Sequence, residues 1–268
     1  MDKKILVLDI DGTLVNSKKE ITPITKEYLI KIQEKGHIAA LASGRPYPGM
    51  MGYAKQICLD KYGGYALSFN GGKVINCKTG ETIYQNVIPC QYAIPIYAYA
   101  KQHNLGMVTY QEDKVITGTD IDEYMEYEAR LNYMVLRKVE DFPAYVDFDM
   151  VKCLITAPPD VAPVHEEALK NLFGQKLNVF RSEPYFIEIT NRGVDKALSL
   201  EKLLQGLGIP RENSICCGDG FNDLTMVRYA GVGVAMDNAQ QIVKDNADYI
   251  TASCDRDGIV EVIKKFIM

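Results

Sequence analysis

Two carboxylates stand two residues apart in Asp9-Ile10-Asp11-Gly12-Thr13, directly after the apolar run Ile5 to Leu8. An Asp-Gly pair after a strand is an ordinary turn former. The same pair could also hold a divalent cation, or divide the work of nucleophile and acid/base. Three further apolar runs end in the same way: IAALA in Ser43-Gly44-Arg45, ALSF in Asn70-Gly71-Gly72, and SICC in Gly218-Asp219-Gly220-Phe221-Asn222-Asp223. Turn formation explains any one of these endings but not their recurrence. With Asp9 and Asp11, Asp219 would complete an oxygen-rich cation site of the kind Mg²⁺ prefers. Asn222 and Asp223 open a helix, and N-capping accounts for such residues equally well. Lys196 begins the helix ALSLEKLL, where a cation opposes the helix dipole, so an anion is expected beside it. That anion could be a phosphate, and a solvated lysine is the alternative. Ser43 and Gly44 offer a hydroxyl and an unhindered N–H to phosphate oxygens, against the reading of a plain loop. Arg45 could add a bidentate anion contact or be an exposed arginine.

Residues of these types act together only if a fold brings them together. KILVLDI, the helical pattern from Thr22 to Lys35 and the run after His37 form a βαβ signature. ALSF and a hairpin-like pair, KVINC and ETIYQ, follow. After Ile189 strands and helices alternate again, through SICCG, GVGVAM and DYIT to a final helix GIVEVIKKFI. Between these parts lies a Tyr-rich α+β stretch. The expected fold class is α/β, with a Rossmann-like parallel-sheet core made of residues 1–83 and 187–268 and an inserted α/β unit of residues 84–186. In such a sheet, ligands sit outside the carboxyl ends of the strands, where Asp9, Ser43, Asn70 and Asp219 would all be delivered.

The composition narrows the partners. The chain has 268 residues, 47% hydrophobic and 24% charged, enough for a substantial core. Its net charge of -5 and its lack of a basic run interleaved with aromatics argue against nucleic acid as the main partner. Asp9 interrupts the first apolar run too early for a signal peptide, and no stretch approaches membrane-spanning length. The seven cysteines show no CxxC spacing, and their odd number fits reduced thiols, so a cytoplasmic protein is expected. The three histidines lack metal-ligand spacing, which leaves carboxylates and lysine to carry any chemistry. No residue pattern points to an oligomeric state.

Asp9-Ile10-Asp11-Gly12-Thr13-Leu14, Ser43-Gly44-Arg45, Lys196 and Gly218-Asp219 with Asn222-Asp223, in this order, resemble the four signature motifs of the haloacid dehalogenase (HAD) superfamily of phosphatases. The insertion between the second and third motifs, Asn70-Gly71-Gly72 and the segment from Gly233 to Ala239 are similar to the Cof-type sugar-phosphatase subfamily, with its type IIB cap. The resemblance implies a cap over the substrate and hydrolysis of a small phosphate monoester, sugar phosphates first. It implies that Asp9 is the nucleophile, Asp11 the acid/base, and Ser43, Lys196 and Asn222 the phosphoryl-holding groups, with Gly44 and Arg45 beside them. Mg²⁺ would bind Asp9, the backbone carbonyl of Asp11 and Asp219, with Asp223 acting through water. The same signature occurs in phosphomutases, the nearest alternative. A receiver-like phospho-regulatory domain shares the acidic pair and the lysine, but it has no use for a second aspartate such as Asp11 or for the inserted unit.

Overall fold

The computed structural model describes residues 3–268. Among them lie fourteen strands, numbered β1 to β14 along the chain, in two sheets. The chain divides into two compact units, Met1–Gln85 with Asp195–Met268, and Asn86–Val194.

The first unit is built on β1 (Ile5–Leu8), β2 (Ile38–Ala42), β3 (Tyr65–Ser68), β4 (Lys73–Asn76), β5 (Thr82–Gln85), β12 (Ser214–Gly218), β13 (Val232–Met236) and β14 (Tyr249–Thr251). Their order is β14-β13-β12-β1-β2-β3-β4-β5. Every neighbouring pair from β14 to β3 is parallel, and β4 and β5 add an antiparallel edge. β1 lies centrally with all four residues buried, as a strand covered on both faces requires. Its side chains alternate between two cores. Leu6 and Leu8 join the cluster containing Leu29, Ile32 and Ile263, whereas Ile5 and Val7 join the one containing Leu200, Leu203 and Met226. The helix Pro23–Glu34 starts where Thr22 accepts the Thr25 N–H and Pro23 takes the first turn, and it buries Leu29 and Ile32. This is the expected α/β architecture, with helices on both faces of a mainly parallel sheet.

The second unit has its own sheet, made of β6 (Gly106–Gln111), β7 (Lys114–Thr117), β8 (Val135–Lys138), β9 (Cys153–Thr156), β10 (Leu177–Glu183) and β11 (Phe186–Asn191). The order is β10-β11-β9-β6-β7-β8, antiparallel except for β7 with β8. β11 pairs with both β10 and β9. The unit boundaries thus differ from those expected: residues 187–194 fall in the second unit, and residues 84–85, the end of β5, in the first. Two of its tyrosines are structural: Tyr97 stacks on Phe142 and donates to the Gly118 carbonyl at 3.0 Å, and Tyr110 donates to Glu128 at 2.6 Å.

Candidate active site

β1, β2, β3 and β12 are parallel neighbours, so the residues after them gather at one edge of the first sheet. Asp9 directly follows β1 and is buried, its N–H bonded to the Cys217 carbonyl of β12 at 3.1 Å. Lys196 opens the helix Lys196–Leu207, capped by the Asp195 carboxylate, which accepts the N–H groups of Ala197 and Leu198. Its side chain is fully buried, and its ammonium donates to Asp9 Oδ1 at 2.7 Å, Asp223 Oδ1 at 2.6 Å and the Ala42 carbonyl at 2.9 Å. All three donors of the ammonium are thus used. The anion expected beside this helix start is a pair of carboxylates, and a solvated lysine is ruled out by its burial.

Charge and burial set the state of these groups. Burial, with Asp223 adding repulsion, raises the Asp9 pKa well above the usual carboxylate range although Lys196 opposes it. Burial works against a charged Lys196, yet the carboxylates of Asp223 and Asp9 outweigh it and raise its pKa. Burial also raises Asp219 to about 6, against the hydrogen bond from the Thr13 hydroxyl to Asp219 Oδ1 at 2.8 Å.

Asp9, Asp219 and Asp223 offer carboxylate oxygens that all lie within 4.8 Å of one another. With all three carboxylates ionised, one ammonium would leave two net negative charges, the complement of a divalent cation, and an all-oxygen set suits a hard one. Asp223 has both oxygens engaged, one by Lys196 and the other by the N–H groups of Asp219 at 3.0 Å and Gly220 at 2.9 Å. Asp223 thus does not cap the following helix, Leu224–Tyr229, with its side chain, as N-capping would have it; the carboxylate turns back to the preceding N–H groups and to Lys196. Gly12, at φ +81, passes so close to Asp219 that a Cβ there would run into its carboxylate.

Asp11 lies apart from this cluster. Arg45 donates to it from Nε at 3.0 Å and from one terminal nitrogen at 2.8 and 3.1 Å, and the Lys19 ammonium donates to Oδ1 at 2.7 Å. Burial pulls the Asp11 pKa up, but the two cations outweigh it and the net shift is downward. The Arg45 guanidinium is therefore on Asp11. Ser43 is buried, its N–H bonded to the Leu67 carbonyl and its hydroxyl accepting the Arg45 N–H at 3.3 Å. Gly44 faces the Asn70 side chain. Asn222 donates to Asn70 Oδ1 at 3.1 Å. Phe69 and Asn70 both take left-handed φ, held by Phe69 N–H to the Arg45 carbonyl and Asn70 N–H to the Ser43 carbonyl. Thr13, Asn238, which donates to the Gly12 carbonyl at 2.8 Å, and Lys19 escaped the sequence reading. Thr13 could have been singled out from its place in the Asp9–Thr13 stretch and Asn238 from its place in the Gly233–Ala239 segment; Lys19 carries no local signal.

The haloacid dehalogenase-like hydrolase family matches residues 6–263. The chain belongs to that family. A haloacid dehalogenase-like hydrolase of solved structure from Bacteroides thetaiotaomicron is 44% identical over 98% of this chain and 99% of its own, with a TM-score of 0.92. The HAD subclass IIB sugar phosphatase BT4131 is 25% identical over 98% of this chain and 99% of its own, with a TM-score of 0.77. Among curated relatives, the 5-amino-6-(5-phospho-D-ribitylamino)uracil phosphatase YcsE of Bacillus subtilis is 26% identical over 100% of this chain and 97% of its own length. The resemblance read from the four motifs holds for this HAD-type phosphatase, including its Cof-type subclass. Among the described residues of the HAD-like hydrolase, no helix is long and apolar enough to cross a membrane, and all seven cysteines are free.

Proposed function

We propose that this protein is a Mg²⁺-dependent phosphatase of small phosphorylated metabolites, sugar phosphates foremost, that works through an aspartyl-phosphate on Asp9. The observation that carries the reading is the Lys196 ammonium, 2.7 Å from Asp9 and 2.6 Å from Asp223 in a buried carboxylate cluster. A phosphate monoester dianion repels a carboxylate nucleophile. Lys196 offsets part of that repulsion, and a bound divalent ion would neutralise the rest and polarise the phosphoryl oxygens. Asp9 and Asp219, each with an oxygen left, would hold the ion directly with the Asp11 backbone carbonyl, and Asp223, with both oxygens engaged, would hold it through water.

Asp9 attacks phosphorus, the bond from phosphorus to the substrate oxygen breaks, and Asp11 protonates the departing alkoxide. Water then attacks the aspartyl-phosphate while Asp11 takes its proton, which releases phosphate and restores Asp9. Ser43, the Gly44 N–H and Asn222 hold phosphoryl oxygens during both transfers. The ion pairs to Arg45 and Lys19 favour the carboxylate form of Asp11, which suits the second step. The first step needs its protonated form, so Asp11 parts from at least one cation as substrate enters, and Arg45 then becomes free to meet the phosphate.

The test is phosphate release from hexose, pentose and triose phosphates, nucleotides and flavin mononucleotide, each with Mg²⁺ or with chelator, for the wild type and Asp9→Asn. Release that requires Mg²⁺ and disappears in the variant supports the reading. Turnover seen only with a sugar bisphosphate activator would replace hydrolysis by a mutase reaction, and undiminished release by Asp9→Asn would remove Asp9 as nucleophile.

A further inference from the structure

Lys19 has no place in the four motifs, yet its ammonium lies 2.7 Å from Asp11 Oδ1. We propose that Lys19 is a positioning residue for the reaction, which shares the Asp11 carboxylate with Arg45 before substrate enters and keeps its Oδ1 end in the orientation that proton transfer requires once Arg45 has turned to the phosphate; this rests on the acid/base reading of Asp11 given above.

The Asp11 carboxylate is held from two sides. The Arg45 guanidinium, reaching from the end of β2, covers Oδ2 with two donors at 3.0 and 2.8 Å and touches Oδ1 at 3.1 Å. Lys19 meets Oδ1 from the segment that follows the first motif. The Asp11 side chain is 37% exposed, so without these partners it would exchange rotamers in water. Arg45 fixes the plane of the carboxylate with its fork, and Lys19 fixes the end that the fork touches least.

An exposed lysine-carboxylate pair ordinarily adds little, because ordering a long side chain offsets the attraction. The backbone of this segment departs from that ordinary case. Lys19 takes φ 61, a left-handed conformation rare for residues other than glycine. Its N–H bonds to the Asn16 carbonyl at 2.9 Å, and the Asn16 N–H bonds to the Glu20 carbonyl at 3.0 Å. The Asn16 side chain accepts the N–H groups of Lys18 and Glu20, both at 3.0 Å. The Ser17 N–H is tied to Asp255, far along the chain, at 2.9 Å. These bonds hold Lys19 in a backbone state that it would not choose alone, and its side chain ends on Asp11. Backbone outliers maintained by surrounding structure concentrate where a side chain must be aimed.

The experiment measures kcat and KM for Mg²⁺-dependent phosphate release from a sugar phosphate by the wild type, Lys19→Met, Lys19→Gly, Lys19→Arg, Asp11→Asn and the double variant Asp11→Asn with Lys19→Met. The expected result is a fall in kcat on the order of tenfold for Lys19→Met with KM nearly unchanged, the signature of a misaligned reacting group. Lys19→Gly relieves the left-handed backbone, so it should keep or raise the melting temperature while losing the same activity. Lys19→Arg should restore most of kcat. In the Asp11→Asn background, Lys19→Met should cause no further loss, because the two residues act as one unit. An unchanged kcat in Lys19→Met, a change confined to KM, or an equal loss in both backgrounds would overturn the positioning role. Absence of Mg²⁺-dependent release from the wild type would overturn the phosphatase reading and this inference together.

Discussion

Lys196 carries a single positive charge in contact with two buried carboxylates, and this makes its removal costly in two separate ways. Lys196→Met would leave Asp9 and Asp223 facing each other without a cation between them, and breaking a buried ion pair in this way costs about 3–5 kcal/mol. Urea unfolding should show the loss directly, and turnover should vanish with it. Asp9→Asn keeps Lys196 paired with Asp223, so the melting temperature should remain near that of wild type while turnover falls by at least about a thousandfold, as for other nucleophile deletions. Asp219→Asn removes one of the carboxylates that have an oxygen left for a cation. Titration calorimetry should show Mg²⁺ affinity reduced on the order of tenfold or more, since a neutral amide oxygen is a weaker ligand for a hard ion.

The elements deliver these residues through short connections that tolerate little change. The turn after β1 passes Gly12 against Asp219 at φ +81, so Gly12→Ala should displace the Asp219 carboxylate and weaken Mg²⁺ binding with little loss of secondary structure, measured by calorimetry and circular dichroism. At the start of β2, His37 Nδ1 accepts the Lys4 N–H at 3.2 Å, which requires a neutral ring. Burial, together with Lys4 and Lys35 nearby, lowers the His37 pKa below its usual value. A depressed folded-state pKa contributes stability above the unfolded value of about 6.5, and that stability is lost as pH falls through the folded-state value. Thermal melts at pH 7.5 and 5 should therefore show a larger drop for the wild type than for His37→Gln.

At the scale of the whole chain, the two units have separate hydrophobic cores, and the boundary between them decides how the insert can be removed. Joining Gln85 to Asp195 through a short linker removes the second sheet entire. Such a core should unfold cooperatively and bind Mg²⁺, while losing discrimination among sugar phosphates if the insert supplies selectivity; unaltered ranking of substrates would contradict that assignment. Excision of residues 84–186 instead would leave most of β11 without β9 and β10, its only partners among the described residues. That version should be the less stable one, with its loss visible in the melting temperature.

The amino-acid sequence by itself determined the alternation of strands and helices, the α/β class, and the positions where polar residues interrupt apolar runs, because each of these follows from periodicity over neighbouring residues. It therefore placed Asp9, Ser43, Asn70 and Asp219 at one sheet edge. Tertiary structure decided what their side chains meet. Asp9 and Lys196 are 187 residues apart, and only the packing of the helix Lys196–Leu207 on the sheet, with Leu200 and Leu203 in one core with Ile5 and Val7, brings the lysine to the end of β1. Arg45 and Lys19 both have long flexible side chains whose ends could have pointed to solvent, and no local pattern shows that they converge on Asp11. The pairing of β11 is equally non-local: FIEITN reads as a strand anywhere, and only its neighbours β9 and β10 assign it to the second sheet.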